Sequence, residues 1–213
     1  MLSKSFSHVR FWVFDLDNTL YHPDARLFDQ IEVKMTEWVM QALSLDQVAA
    51  DKLRADYWTT HGTTLAGLMR EHGLEPGPYL EHVHDISLDH LQTDLVLADR
   101  IRALPGIKIV YTNGPKDHAE RVTAARGLAG VFDGLYGIGE AGFRPKPERA
   151  AFETIFALAG VRAEEAAMFE DDPKNLLAPH EMGMRTVLVH RDGEGEHIHH
   201  RTNDLTAFLE GVA

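Results

Sequence analysis

Asp15 and Asp17 stand two residues apart at the end of an apolar run, Phe11-Trp12-Val13-Phe14, and are followed by Asn18 and Thr19. A carboxylate pair at that spacing suits covalent phosphoryl transfer. Asp15 serves as the nucleophile, and Asp17 protonates the leaving alkoxide and then activates water. Carboxylate and phosphate repel each other, so this chemistry needs a cation between them. Mg²⁺ takes oxygen ligands, and Asp15, Asp171, Asp172 and a backbone carbonyl at Asp17 are the metal-ligating candidates. The Thr112 hydroxyl and the backbone N–H groups around Asn113 and Gly114 suit phosphate oxygens. Lys146 is a point charge able to neutralise both Asp15 and the phosphate. The substrate class implied is a small phosphomonoester.

Each piece alone has a blander reading. Asp171-Asp172-Pro173 reads as a helix cap and start, Thr112-Asn113 as a turn, and Lys146 as a solvated lysine. Context separates the two readings, because the pieces follow strands. Phe11–Phe14 is a continuous apolar run, the pattern of a strand buried on both faces. Further strands are expected at 107–112, 135–138, 166–169 and 185–189, with helices at 94–104, 117–126, 148–158, 175–182 and 203–210. Residues 1–9 read as a frayed tail and 190–202 as a polar loop. Strands alternating with helices imply a parallel α/β sheet, and in such a sheet the carboxyl ends of the strands converge on one edge.

One block breaks the alternation. Residues 22–93 carry helical patterns at about 28–42, 45–60, 64–72 and 79–91, with no convincing strand. The division expected is a core of residues 1–21 and 94–213, with 22–93 inserted over the active edge as a lid. Within that block Tyr57, Trp58 and His61 are the candidates for contact with the leaving group, weighed against plain packing of the helices. His197, His199 and His200 could form a metal tract, but their Gly- and acid-rich surroundings favour a solvated loop.

The chain has 213 residues and a formal charge of −12, and it contains no cysteine. That excludes a disulfide framework and thiolate metal sites, and it argues against a nucleic acid polymer or an anionic membrane as partner. No apolar run approaches the ~20 residues of a membrane span. A cytoplasmic monomer or homodimer is expected.

The order Asp15-x-Asp17-x-Thr19, Thr112-Asn113, Lys146, Asp171-Asp172 resembles the four motifs of the haloacid dehalogenase (HAD) superfamily. The resemblance implies a Rossmann-like core, a C1-type helical cap at 22–93 and Mg²⁺-dependent phosphatase activity through an aspartyl-phosphate. Asp17 weighs against the dehalogenase branch, which lacks the second aspartate. The fourth motif departs from many relatives, with Glu170 in place of Gly and Asn175 in place of Asp. Phe14-Asp15-Leu16-Asp17-Asn18-Thr19-Leu20-Tyr21, the segment Tyr57-Trp58…His61-Gly62-Thr63-Thr64-Leu65-x-Gly67-Leu68 and Tyr111-Thr112-Asn113-Gly114 resemble the pyrimidine 5′-nucleotidase group. That narrower likeness implies UMP- or CMP-like substrates. Sugar phosphates, phosphoglycolate, a phosphomutase reaction and a non-catalytic binding module are the alternatives.

Overall fold

The computed structural model describes residues 2–212. Six strands form one parallel sheet: β1 (Phe11–Phe14), β2 (Ile107–Tyr111), β3 (Gly134–Tyr136), β4 (Ala166–Glu170), β5 (Arg185–Val189) and β6 (His200–Thr202). Their spatial order is β3-β2-β1-β4-β5-β6. The order reverses between β1 and β4, and open α/β sheets bind ligands at the carboxyl ends of strands flanking such a reversal.

The pleat of β1 explains its composition. Trp12 and Phe14 enter one core layer and Phe11 and Val13 the other, so all four are buried. Phe14 stacks on Phe169 of β4 with ring centroids 4.6 Å apart, and Trp12 Nε1 donates to Pro105 O at 2.8 Å. Helices α6 (Leu95–Ala103), α7 (Lys116–Ala125) and α10 (Leu205–Glu210) cover the Trp12 face, and α8 (Arg149–Ala159) and α9 (Leu177–Glu181) cover the other. The N-terminal stretch, expected to fray, instead holds a short helix α1 (Leu2–Ser5), and Phe6 packs between Trp12 and Phe208.

Between β1 and β2 run α2 (Leu27–Leu43), α3 (Gln47–His61), α4 (Thr64–His72) and α5 (Pro76–His84). Asp46 and Thr63 cap α3 and α4 by accepting from Ala49 N and Ala66 N. The helix expected to reach residue 91 ends at His84. Beyond it Ser87 and Asp89 bond each other locally, which competes with helix. The polar stretch after β5 contains an edge strand, β6, which was not expected. Among the described residues no helix is long and apolar enough to cross a membrane.

Two arginines of the α7 region tie down both chain crossings between core and helical block. Arg121 donates to His84 O at 2.8 Å and to Ile86 O at 2.7 Å. Arg126 donates to Leu20 O at 3.1 Å, Asp94 Oδ2 at 3.0 Å and Gln92 O.

The end of β3 lies directly on the turn after β2. Ile138 N donates to Gly114 O at 2.9 Å, and a Cβ at Gly137 would come within 2.6 Å of both Gly114 O and Lys116 N. Gly137→Ala is therefore expected to cost ~1–3 kcal/mol by overpacking backbone against backbone. A melting temperature equal to that of the native chain would contradict this close approach.

Candidate active site

Asp15 leaves β1 at the reversal point, with its N–H bonded to Phe169 O of β4 at 2.9 Å. Both its carboxylate oxygens are engaged. Oδ1 accepts from Lys146 Nζ at 2.6 Å and Oδ2 from Thr19 Oγ1 at 2.9 Å. Asn18 makes the intervening turn at φ +60°, a conformation that Asn tolerates better than most residues.

Lys146 is buried and uses all three of its donors. Besides Asp15 it reaches Glu170 Oε2 at 2.6 Å and Tyr111 O at 3.3 Å. The loop that carries it is fixed by a reciprocal amide pair, in which Lys146 N donates to Asn113 Oδ1 at 2.8 Å and Asn113 Nδ2 donates to Lys146 O at 3.2 Å. The Asn113 side chain is thus spent on the lysine. Gly114 N donates to Thr112 Oγ1 at 2.9 Å, and the Thr112 hydroxyl has a long 3.5 Å contact with Asp17 Oδ2.

Oxygens of Asp15, Glu170 and Asp171 lie within 4.8 Å of one another. Asp172, expected as a metal ligand, is placed elsewhere. It accepts from Lys174 N at 3.1 Å, pairs with Lys174 Nζ at 3.3 Å and caps the turn that opens at Pro173. Glu170 takes the place beside the other two acids. One lysine faces two buried carboxyls and the half-buried Asp171, so the cluster carries more negative than positive charge. Burial, and then repulsion from Glu170, raise Asp15 to about 7 despite the opposing pull of Lys146. Burial, Glu170 and Asp15 raise Asp171 to about 9. The two carboxylates bound by Lys146 push its pKa well up, against its own burial. An oxygen-ligated divalent cation fits these residues on charge and on donor type.

Asp17 sits in a different environment. Its Oδ1 accepts from Tyr21 Oη at 2.8 Å and from His118 Nε2 at 3.0 Å. Burial would raise this carboxyl, but the charge and hydrogen bond of His118, with the Tyr21 bond, outweigh it and hold the pKa below the ordinary value. His118 was missed in the sequence. Its only signal was a histidine one turn into the helix that follows Thr112.

A cavity of about 660 Å³ opens above the carboxylates and runs up into the helical block. Apolar Phe28, Ile31, Met35, Leu65 and Leu80 line it together with Glu32, Asp51, Arg54 and Trp58. Trp58 is half exposed, with Lys174 Nζ 3.4 Å from its ring centroid. Its neighbours are not on this wall. Tyr57 is buried against bare Gly67 and bonds His72 at 2.7 Å, and His61 faces Glu71 at 3.5 Å beside a separate groove. Successive residues on a helix point about 100° apart, so Tyr57 and Trp58 face different surroundings. Of the histidine tract, His199 Nδ1 lies 2.7 Å from Thr186 Oγ1 and His200 begins β6, and neither joins the acidic cluster.

Residues 10–183 match the family described as haloacid dehalogenase-like hydrolase. Phosphate metabolism protein 8 of Saccharomyces cerevisiae is 27% identical over 191 residues, which cover 82% of this chain and 60% of the yeast protein. The chain thus spans under two thirds of that relative. Enolase-phosphatase E1 of Streptomyces avermitilis is 29% identical over 174 residues, covering 80% of this chain and 69% of its own. Among solved structures, the HAD hydrolase YfnB of Bacillus subtilis, bound to magnesium and described as revealing interdomain movement, aligns with TM-score 0.62 at 14% identity. That alignment covers 96% of this chain and 98% of the other, and it supports the fold alone.

The charge excess has a measurable consequence. Folded Asp171 keeps its proton to about pH 9, whereas an unfolded aspartate loses it near 3.8. Between pH 7 and 9 the folded chain therefore binds more protons than the unfolded one, and stability falls as pH rises. Metal-stripped protein should melt at a lower temperature at pH 9 than at pH 7, and Mg²⁺ should raise the melting temperature more at pH 9. Equal melting temperatures at both values, with and without Mg²⁺, would contradict the excess of charge.

Proposed function

The chain belongs to the haloacid dehalogenase-like hydrolase family, and on that premise we propose that it is a Mg²⁺-dependent phosphatase for small phosphomonoesters, with pyrimidine 5′-monophosphates as the preferred class. The observation that carries this reading is the position of Asp15: at the sheet's reversal point, 2.6 Å from Lys146, beside Glu170 and Asp171, and two residues before a separately held Asp17.

In this reading Asp15 attacks phosphorus, and the bond from phosphorus to the leaving oxygen breaks as that oxygen takes a proton from Asp17. Asp17, now a carboxylate, then removes a proton from water as the water attacks the aspartyl-phosphate. The bond from phosphorus to Asp15 breaks, and inorganic phosphate leaves with Asp17 reprotonated. Lys146 holds the Asp15 oxygen in place and offsets the negative charge of the phosphate. The Thr112 hydroxyl oxygen accepts from Gly114 N at 2.9 Å, and its proton, held only by the long contact to Asp17, can turn toward a phosphate oxygen. The loop at Gly114 and Pro115 precedes the N-terminus of α7, whose dipole favours an anion there. Asp15 and Asp171, with Glu170 adjacent, would hold the cation. Bound there, Mg²⁺ would cancel the repulsion between carboxylate and phosphate and stabilise charge on the transferring oxygens.

Residues 22–93 act as the cap. The core groups grip only the phosphate, so discrimination falls to the wall that α2 and α3 present. An apolar lining of Phe28, Ile31, Met35, Leu65 and Leu80, with Trp58, Arg54 and Asp51 in the same cavity, suits a flat ring with polar edges better than a polyhydroxylated sugar. The resemblance of the Tyr57–Leu68 segment to pyrimidine nucleotidases supports the same class, although Tyr57 and His61 stand away from this cavity.

The test is phosphate release from a panel of nucleoside and sugar monophosphates. UMP or CMP should lead the panel, and EDTA should stop turnover until Mg²⁺ is added back. Asp15→Asn should abolish activity in folded protein, while substantial residual turnover would sink the covalent role. Trp58→Ala should raise KM for UMP while sparing phenyl phosphate. A panel led by sugar phosphates would remove the pyrimidine preference and leave the phosphatase reading standing.

A further inference from the structure

His118 is fully buried on the first turn of α7, and its one polar contact among the described residues is the 3.0 Å bond from Nε2 to Asp17 Oδ1. A carboxylate only accepts, so Nε2 carries the proton and donates. Tyr21 Oη donates to the same oxygen at 2.8 Å. The two bonds occupy Oδ1 and leave Oδ2 with the long Thr112 contact alone. One oxygen is clamped and the other is left to exchange a proton.

The clamp is itself held from the helical block. The His84 ring, at the end of α5, lies 4.7 Å from that of His118. Its Nδ1 is 2.9 Å from Leu80 O, and its carbonyl accepts from Arg121 of α7 at 2.8 Å. The two rings pack closely on position 114. A Cβ there would meet His84 Nε2 at 3.2 Å and His118 Cδ2 at 3.3 Å.

We propose that His118 is a positioning residue for Asp17: its Nε2–H fixes Oδ1 so that Oδ2 meets the leaving oxygen and then the attacking water, and His84 of the helical block holds the His118 ring in that pose. The inference rests on the acid/base reading of Asp17. Proton transfer demands a carboxylate within hydrogen-bond reach in a fixed rotamer, and a displacement of about 1 Å can cost on the order of 10²-fold. Loss of the Nε2–H leaves Oδ1 on the Tyr21 bond alone, and one bond no longer fixes the direction in which Oδ2 points.

The test compares His118→Gln, which keeps an N–H donor, with His118→Met, which has similar shape and no donor. Asp17→Asn serves as reference, and thermal melting checks each fold. His118→Asn and His118→Leu provide the same contrast should the first pair fail to fold. Each protein is assayed on phenyl phosphate, whose leaving group needs a proton, and on 2,4-dinitrophenyl phosphate, whose leaving group does not. Phosphoenzyme is trapped by acid quench in the steady state.

With phenyl phosphate, His118→Met should lose ~10–100-fold in kcat with KM within threefold. With dinitrophenyl phosphate it should form phosphoenzyme at near-native rate and accumulate it, because attack by water still needs Asp17. His118→Gln should recover most of the loss. Native rates in folded His118→Met would overturn the proposal. So would an equal loss on both substrates, with no accumulation and no rescue by Gln, which would mark a packing role only. If Asp17→Asn itself shows no dependence on the leaving group, the acid/base reading has failed and this inference falls with it. A slow, leaving-group-dependent Asp17→Asn beside a fast His118→Met removes this inference alone.

Discussion

One buried ammonium group between two buried carboxylates sets the terms for the rest of the molecule. Lys146 Nζ stands 2.6 Å from Asp15 and 2.6 Å from Glu170, and Asp171 adds a third acid within reach. Removing charges from water is costly, and close pairing with full hydrogen bonding is what offsets it. Every donor of Lys146 is accordingly used. The cluster still holds an excess of negative charge, and that excess is what a divalent cation would cancel. Placement follows from the sheet. β1 and β4 are neighbours at the reversal of strand order, so the acids at their ends meet without any distortion of the strands. Asp17, two residues on, lies in a pocket with Tyr21 and His118 instead. Two carboxylates of one short turn thus acquire opposite pKa displacements, Asp15 upward through burial and Glu170, and Asp17 downward, against its burial, through His118 and Tyr21.

The helical block stands over this edge, and the same cavity wall runs from Asp15 to Arg54 and Trp58. Its attachments are specific. Arg121 and Arg126 bind backbone carbonyls on both chain crossings, and Lys174 of the core meets the Trp58 ring.

Much of this was legible in the chain. Phe11–Phe14 read as a doubly buried strand because all four residues are large and apolar, and its end marked Asp15 before any fold was known. The sheet, its parallel sense and the all-helical interruption followed from alternation and periodicity. Contacts set by three-dimensional packing were not legible. Asp172 and Glu170 are two residues apart, and which of them turns to the lysine depends on the register of β4: Glu170 is its last residue, and Asp172 begins the following turn. Tyr57 and Trp58 were grouped as neighbours in sequence, but the helix directs them to different surfaces. His118 looked like any helical histidine, because its partner lies 101 positions away. Phe6 and His200 were read through their polar neighbours, yet both pack on Phe208.

In the proposed reading, the acidic cluster at Asp15, Glu170 and Asp171 would hold a cation, and protons would meet its charge excess when the cation is absent. Calorimetric titration of metal-stripped protein with Mg²⁺ at pH 7.5, in two buffers of different ionisation enthalpy, tests it directly. Binding at one site should release protons, seen as a heat that differs between the buffers, and Asp171→Asn should lose the site while Asp172→Asn keeps it. No binding, or a heat independent of the buffer, would contradict the account.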